Sequence, residues 1–223
     1  MVEAIRSYHA RRGRLSPNQR DALQRLGPCL DLAQADDPLD LDLAFARTAR
    51  RTLEIGSGLG DTALSLAAAN PDRDYIAADV HTKGIARTLL LIEQRGVHNL
   101  RVLHGDALAF LEGLAPACLQ EVLVFFPDPW PKVRHHKRRL VRPGFVRTVA
   151  RVVEPGGTLH LATDDVDYAN AMRKVIDDDP AFRAIHDGGR VPDRPRTKYE
   201  AAGEQAGRYA VDLVYRVEAP SKT

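Results

Sequence analysis

Long apolar runs, cysteine and aromatic residues are all scarce in this chain, and each scarcity removes a class of protein. No stretch approaches the roughly 18 continuous apolar residues of a membrane span, and the arginine-rich start has no secretory-leader pattern. A cytoplasmic protein without membrane association is expected. The two cysteines, Cys29 and Cys118, lie far apart, which excludes a disulfide framework, a Cys-x-x-Cys redox pair and a zinc knuckle. His135 and His136 are adjacent but lack a third ligand, so no metal is expected. Excess charge of one sign is also missing, since 32 basic residues face 30 acidic ones for a net charge of +2. The charges are segregated, however. Basic residues collect at Arg6–Arg14, Lys132–Arg142 and Arg190–Lys198, and acids at Asp31–Asp42. With 223 residues, no repeats and no low-complexity tract, the chain suits one full-sized domain with a terminal extension.

What the chain does hold is concentrated in Phe125–Arg139, Phe-Phe-Pro-Asp-Pro-Trp-Pro-Lys-Val-Arg-His-His-Lys-Arg-Arg. The β-branched and apolar residues before Phe126 suit a buried strand. Pro127, Pro129 and Pro131 then end it, because each lacks an N–H and restricts its predecessor. Asp128 and the single tryptophan, Trp130, are thereby held in a stiff loop at the carboxyl end of a strand, where open α/β sheets bind ligands. The basic run that follows repels itself unless an anion such as RNA is near, although such runs also occur as solvated turns.

The remaining sequence alternates strand and helix. Residues 1 to about 15 read as a basic arm, and Ser16-Pro-Asn-Gln19 as a capping box opening a helix over 17–26. Asp31–Asp42 reads as an acidic surface connection. Strands are expected at 52–55, 75–79, 100–103, 121–126, 158–162, 182–185 and 209–217, with helices at 61–69, 83–95, 107–114, 143–153 and 166–177. Residues 188–207 read as a polar loop. This pattern implies a mostly parallel sheet with helices on both faces.

Gly56-Ser-Gly-Leu-Gly60 joins the first strand to the first of these helices, which allows positive φ and close approach of a ligand to backbone. Glu54, Asp79, Asp106, Asp128 and Asp164 all fall at or just past strand ends, so five carboxylates share one rim. Nicotinamide dinucleotide folds usually carry Gly-x-Gly-x-x-Gly, which this loop lacks. A cationic nucleoside fits an acidic rim better than a pyrophosphate does, and S-adenosylmethionine is both cationic and nucleoside-bearing. For Asp164 and Asp165 helix capping is the competing role.

Glu54-Ile-Gly-Ser-Gly-Leu-Gly60, the later acids and Pro155-Gly-Gly157 resemble the seven-stranded, Rossmann-like class I methyltransferases, whose fold closes with a late antiparallel strand. Within that class, the segment Phe125–Arg139 resembles the signature of the bacterial tRNA (guanine-N(7)-)-methyltransferases. Asn70-Pro71, Val80-His81-Thr82, Ala162-Thr-Asp164, Arg194-Pro-x-Thr-Lys-Tyr-Glu200, Ile5-Arg-Ser-Tyr8 and Arg12-x-x-Arg-Leu15 extend the likeness over nearly the whole chain. It implies an arm and short helix over 1–45, a methyltransferase domain over 46–223, tRNA as partner, and a monomer or homodimer.

By motif position the resemblance implies cofactor contacts at Glu54, Gly56, Gly58, Gly60, Asp79, Asp106 and Asp128, with Asp128 also catalytic. Substrate contacts fall on Lys132, Asp164, Thr197, Lys198, Tyr199 and Glu200. RNA contacts fall on Arg134, His135, His136, Lys137, Arg138 and Arg139. Three positions depart from the family pattern: Asp79 where glutamate is frequent, Tyr199 where phenylalanine is usual, and Arg208 where histidine is frequent. The first two preserve the chemistry; the third leaves that loop without an assigned role.

Guanine N7 carries a free lone pair, so methyl transfer needs alignment rather than a strong base. A carboxylate beside the reacting atom stabilises the positive charge that develops on the base, the role expected of Asp128. Asp164 and Glu200 are expected to accept from guanine's N–H groups and Lys132 to donate to its carbonyl. Trp130 has two open roles, stacking on the base or packing. Two rival functions remain at this point. One is methylation of an exocyclic amine, since Asp128-Pro-Trp130 partly resembles that motif, and the other is silent RNA binding on the same scaffold.

Overall fold

The structure is a computed structural model that describes residues 13–34 and 39–219. The arm before Gly13, with its Ile5-Arg-Ser-Tyr8 motif, lies outside the described residues. Seven strands form one sheet: β1 (Arg50–Ile55), β2 (Arg73–Asp79), β3 (Leu100–His104), β4 (Leu119–Phe125), β5 (Val153–Thr163), β6 (Phe182–Gly188) and β7 (Val211–Val217). Their order is β3-β2-β1-β4-β5-β7-β6, and β7 runs antiparallel to both its neighbours. This is the expected class I methyltransferase arrangement with its late reversed strand. The strand order turns back between β1 and β4, so the loops after these two strands flank the crevice where such sheets bind ligands.

Eight helices cover the sheet among the described residues: α1 (Pro17–Leu30), α2 (Leu41–Phe45), α3 (Asp61–Ala69), α4 (Thr82–Arg95), α5 (Ala107–Gly113), α6 (Pro143–Val152), α7 (Val166–Asp177) and α8 (Lys198–Gln205). Side chains alternate across a strand, and the core divides accordingly. Tyr75 and Ala77 of β2 join Ala22, Ala63, Leu64, Ile85 and Leu89 from α1, α3 and α4. Ile76 and Ala78, one residue out of step, join Leu111, Phe145, Val149, Tyr168 and Met172 from α5, α6 and α7. Glu54 alternates with Leu53 and Ile55, which both belong to the second cluster, so its carboxyl points to the face under the glycine loop.

Three expectations need correction. The helix opened by the Ser16–Gln19 capping box runs to Leu30 rather than 26. Asp31 is not part of a surface connection: it is buried, bridges to Val102, and accepts from the His104 N–H at 3.0 Å. The same stretch ends in α2, capped by Asp40, with Leu41 and Phe45 in the core. Lastly, 188–207 is no plain loop, since α8 sits inside it. Thr197-x-x-Glu200 is a capping box, with Thr197 Oγ1 accepting from the Glu200 N–H and Glu200 reaching back to the Thr197 N–H.

Candidate active site

A cavity of about 550 Å³ opens at the carboxyl ends of β1 to β4. Its lining includes Gly56 and Gly58 after β1, Asp79 at the end of β2, Asp106 after β3, and Phe126, Pro127 and Asp128 after β4. Four strands therefore bring five of the expected cofactor residues, Gly56, Gly58, Asp79, Asp106 and Asp128, to one cavity, while Glu54 and Gly60 lie outside its lining. Gly13, the first described residue after the arm, reaches the same cavity beside Lys83.

The glycine loop is shaped by backbone that other residues adopt at a cost. Gly56, Gly58 and Gly60 have φ of 78°, 60° and 79°. A side chain on Gly56 would project into open space and one on Gly58 would meet only the Gly56 carbonyl oxygen, whereas one on Gly60 would strike Thr88 of α4. Gly60 thus packs the loop on a helix, while Gly56 and Gly58 leave room for a ligand. Gly84, which the sequence reading missed, completes this arrangement: a Cβ there would lie 2.0 Å from the Gly58 carbonyl oxygen. No local pattern marks it, since a helical glycine is informative only once its neighbour across the fold is known.

Asp79 holds the loop from the next strand. Its Oδ2 accepts from the Gly58 N–H at 2.8 Å, while Oδ1 accepts from the His81 N–H at 2.8 Å and lies 2.7 Å from His81 Nδ1. Asp106 caps α5 by accepting from the Leu108 N–H at 2.9 Å. Glu54 lies beneath, almost fully buried, with the Ala63 N–H and Thr62 as partners and its Oε2 unpartnered. Burial, reinforced by the Asp79 and Asp61 charges, pushes its carboxyl up to about 8.

The proline loop is strained at both ends. Phe126 and Trp130 adopt φ of 52° and 47°, a left-handed conformation that costs a residue with a side chain about 1 kcal/mol or more. Between them Asp128 stands exposed at the cavity wall. Trp130 is buried, with the Arg138 guanidinium 4.8 Å above its ring and His135 edge-on at 5.8 Å. It packs the turn; it does not line the cavity.

The basic run folds into a 3-10 turn over Val133–Arg138 and divides in two. Lys132, Arg134 and Lys137 are exposed, and His135, His136 and Arg138 half-buried. Arg139, expected to contact RNA, is instead buried: it donates to the Pro129 carbonyl at 2.9 Å, pairs with Asp167 and lies over Tyr168. It fastens the proline loop to α7.

The expected substrate residues divide likewise. Lys198 and Tyr199, in the first turn of α8, line the cavity. Asp164 does not; it sits at the end of β5 against α8, and its Oδ2 accepts from Arg208 Nε at 2.8 Å. Asp165, the next residue, is the one that caps α7. Glu200, expected to accept from guanine, is turned away from solvent, with both oxygens held by Arg194 at 2.8 and 3.0 Å. Among the described residues no His/Cys/Asp/Glu cluster could hold a metal ion, and no helix is long and apolar enough to cross a membrane.

Comparisons with known proteins converge on one group. The family model described as "Putative methyltransferase" matches residues 48–213. A tRNA (guanine-N(7)-)-methyltransferase of Nitrosococcus oceani is 43% identical over 95% of this chain and 90% of its own length. One from Alkalilimnicola ehrlichii is 45% identical over 95% of this chain and 92% of its own. A solved 16S rRNA methyltransferase, 16% identical, superposes with a TM-score of 0.62 over 85% of this chain and 99% of its own, a likeness of fold alone. By the family model and these relatives together, the chain belongs to the tRNA (guanine-N(7)-)-methyltransferase family.

Proposed function

We propose that this protein transfers a methyl group from S-adenosylmethionine to nitrogen 7 of a guanine in tRNA, the variable-loop guanine that the family resemblance implies. The observation that carries the reading is a single cavity lined by Gly56, Gly58, Asp79 and Asp106 together with Asp128. A nucleoside site and the carboxylate expected to act on the base thus share one wall.

The residues present suit this cofactor. Gly56 and Gly58 line the cavity without side chains that would fill it, and the surrounding acids suit a cation. Glu54, a buried carboxyl with an unpartnered oxygen, gains a favourable environment if a positive group comes near. Asp79 is oriented by Gly58 and His81 and keeps lone pairs for ribose hydroxyls. When bound, S-adenosylmethionine supplies an electrophilic methyl group on sulfur.

The protein's own contribution is alignment and charge. Asp128, fixed between Pro127 and Pro129, stabilises the cation that guanine becomes on methylation. Lys132 donates to the guanine carbonyl, and Asp164 accepts from its N–H edge. Arg134 and Lys137, both exposed, meet the tRNA backbone, a polyanion that suits their charge. Thr197 and Glu200 act one step back, by capping the helix that carries Lys198 and Tyr199. The same reading places the protein in the cytoplasm, with its substrate.

The deciding experiment incubates the protein with unmodified tRNA and radiolabelled S-adenosylmethionine, digests the RNA and identifies the labelled nucleoside. Label in 7-methylguanosine is expected. Label in a base methylated on its exocyclic amine, or tRNA binding without label, would replace this reading with one of its rivals.

A further inference from the structure

Arg194 is the most enclosed cation in the described structure. Its side chain has no exposed surface, yet it lies outside the lining of the active-site cavity and needs no ligand to be satisfied. Nη1 and Nη2 form a fork on Glu200, at 3.0 and 2.8 Å, and Nε donates to Asp212 of β7 at 3.0 Å. Its planar group lies 5.5 Å from the ring centres of both Phe125 and Phe126, the residues that lead from β4 into Pro127 and Asp128. Arg190 adds a second cation 3.0 Å from Glu200, and Asp212 also accepts from the Val191 N–H, so the charges balance in a closed cluster.

These contacts join three parts that sequence keeps far apart. One is the strand end that aims Asp128. Another is β7, the reversed strand between β5 and β6. The third is the first turn of α8, because the Glu200 carboxylate that Arg194 grips also closes the α8 capping box. That turn carries Lys198 and Tyr199 into the wall of the cavity that Asp128 also lines. A planar fork that stacks on aromatic rings suits this junction as lysine does not, since an ammonium offers neither the paired geometry nor the flat face.

We infer that Arg194 is a positioning residue for methyl transfer: it holds the α8 first turn and the Asp128 strand end at a fixed separation, and so sets the alignment of the guanine. The inference rests on the proposed function. A lost clamp leaves the cofactor residues on β1, β2 and β3 in place but lets the far wall of the cavity drift. Misplacement of about 1 Å costs up to roughly a hundredfold in an alignment-limited step.

The test compares wild type with Arg194→Lys, which keeps the buried positive charge and removes the fork and the stacking face. At a temperature where both are folded by circular dichroism, kcat on tRNA is expected to fall at least tenfold, with the Kd for S-adenosylmethionine within about twofold. Hydrogen exchange of residues 197–201 is expected to rise in step. If Arg194→Lys does not fold, Glu200→Gln carries the same test, because it keeps the side-chain shape and one acceptor oxygen. Unchanged kcat, or a fall in kcat with unchanged exchange over 197–201, overturns the positioning role. Wild-type protein that methylates nothing would instead remove the proposed function beneath it.

Discussion

Arg208 donates from Nε to Asp164 Oδ2 across 2.8 Å, so the one departure from the family pattern that had no assigned role is paired with a residue expected to read the substrate. The approach depends on two glycines. Gly207, at φ 74°, turns the chain after α8 so that Arg208 points back. Gly203 makes room for the carboxylate, since a Cβ there would lie 2.7 Å from Asp164 Oδ2. A guanidinium offers a carboxylate the same N–H donors that the guanine edge does. Arg208 is 55% exposed, so the pair contributes only about 0.2–1 kcal/mol and yields to a competing donor.

Asp164→Asn should therefore lower kcat/KM on tRNA at least tenfold while shifting Tm by no more than about 2 °C. The amide keeps the shape and loses the charge that two N–H donors require. Initial rates and a melting curve check both halves. Wild-type rates from this variant would show that the carboxylate does not face the base.

Asp128→Ala should reduce methylation by about a hundredfold or more with tRNA binding within about twofold. The side chain is exposed at the cavity wall, and its removal creates no cavity in the core. Single-turnover rates at saturating tRNA separate this loss from a binding defect. Full turnover would remove Asp128 from the chemistry.

The basic run should divide into two kinds of mutant. Reversing the exposed Arg134 and Lys137 to glutamate should weaken tRNA binding and lower the slope of log K against log salt by about 2, with Tm unchanged. Arg139→Ala should do the opposite. It loses a donor to Pro129, a pair with Asp167 and a stacked face on Tyr168, worth about 2 kcal/mol, and should lower Tm by several degrees. Salt titrations of binding and thermal melts decide between them. A salt slope that ignores Arg134 and Lys137 would take the turn out of the interface.

Most of the site was readable in the sequence because strand ends and glycine turns announce themselves locally. Gly56–Gly60, Asp79, Asp106 and Asp128 each follow a short apolar strand, and a parallel sheet brings such ends to one rim. What escaped was set by tertiary partners. Nothing local distinguishes Arg139 from Arg138, yet one is buried beside Tyr168 and the other covers Trp130. Asp31 is the first of an acidic stretch, and only the bridge to Val102 shows it buried. Thr197-x-x-Glu200 has the form of a helix start, but the prolines and glycines around it favour a loop on local sequence alone.

Glu54 offers the sharpest test of the cofactor site, because its burial ties stability to pH. Its carboxyl is pushed from an ordinary 4.5 up to about 8 by loss of solvent. Below 4.5 the folded and unfolded chains both hold the proton. Between 4.5 and 8 the unfolded chain ionises while the folded one does not, so stability at this site falls as pH rises and levels off above 8. A shift of that size corresponds to on the order of a few kcal/mol. Glu54→Gln removes the proton but keeps the shape, so the cofactor-free variant should melt several degrees above wild type at pH 8 and near it at pH 5. Its affinity for S-adenosylmethionine should fall at least tenfold, because the buried acid is retained for a positive ligand at the expense of the empty fold. Scanning fluorimetry across pH with calorimetric titration measures both, and a Tm gap that does not change with pH would show that Glu54 is not the titrating group.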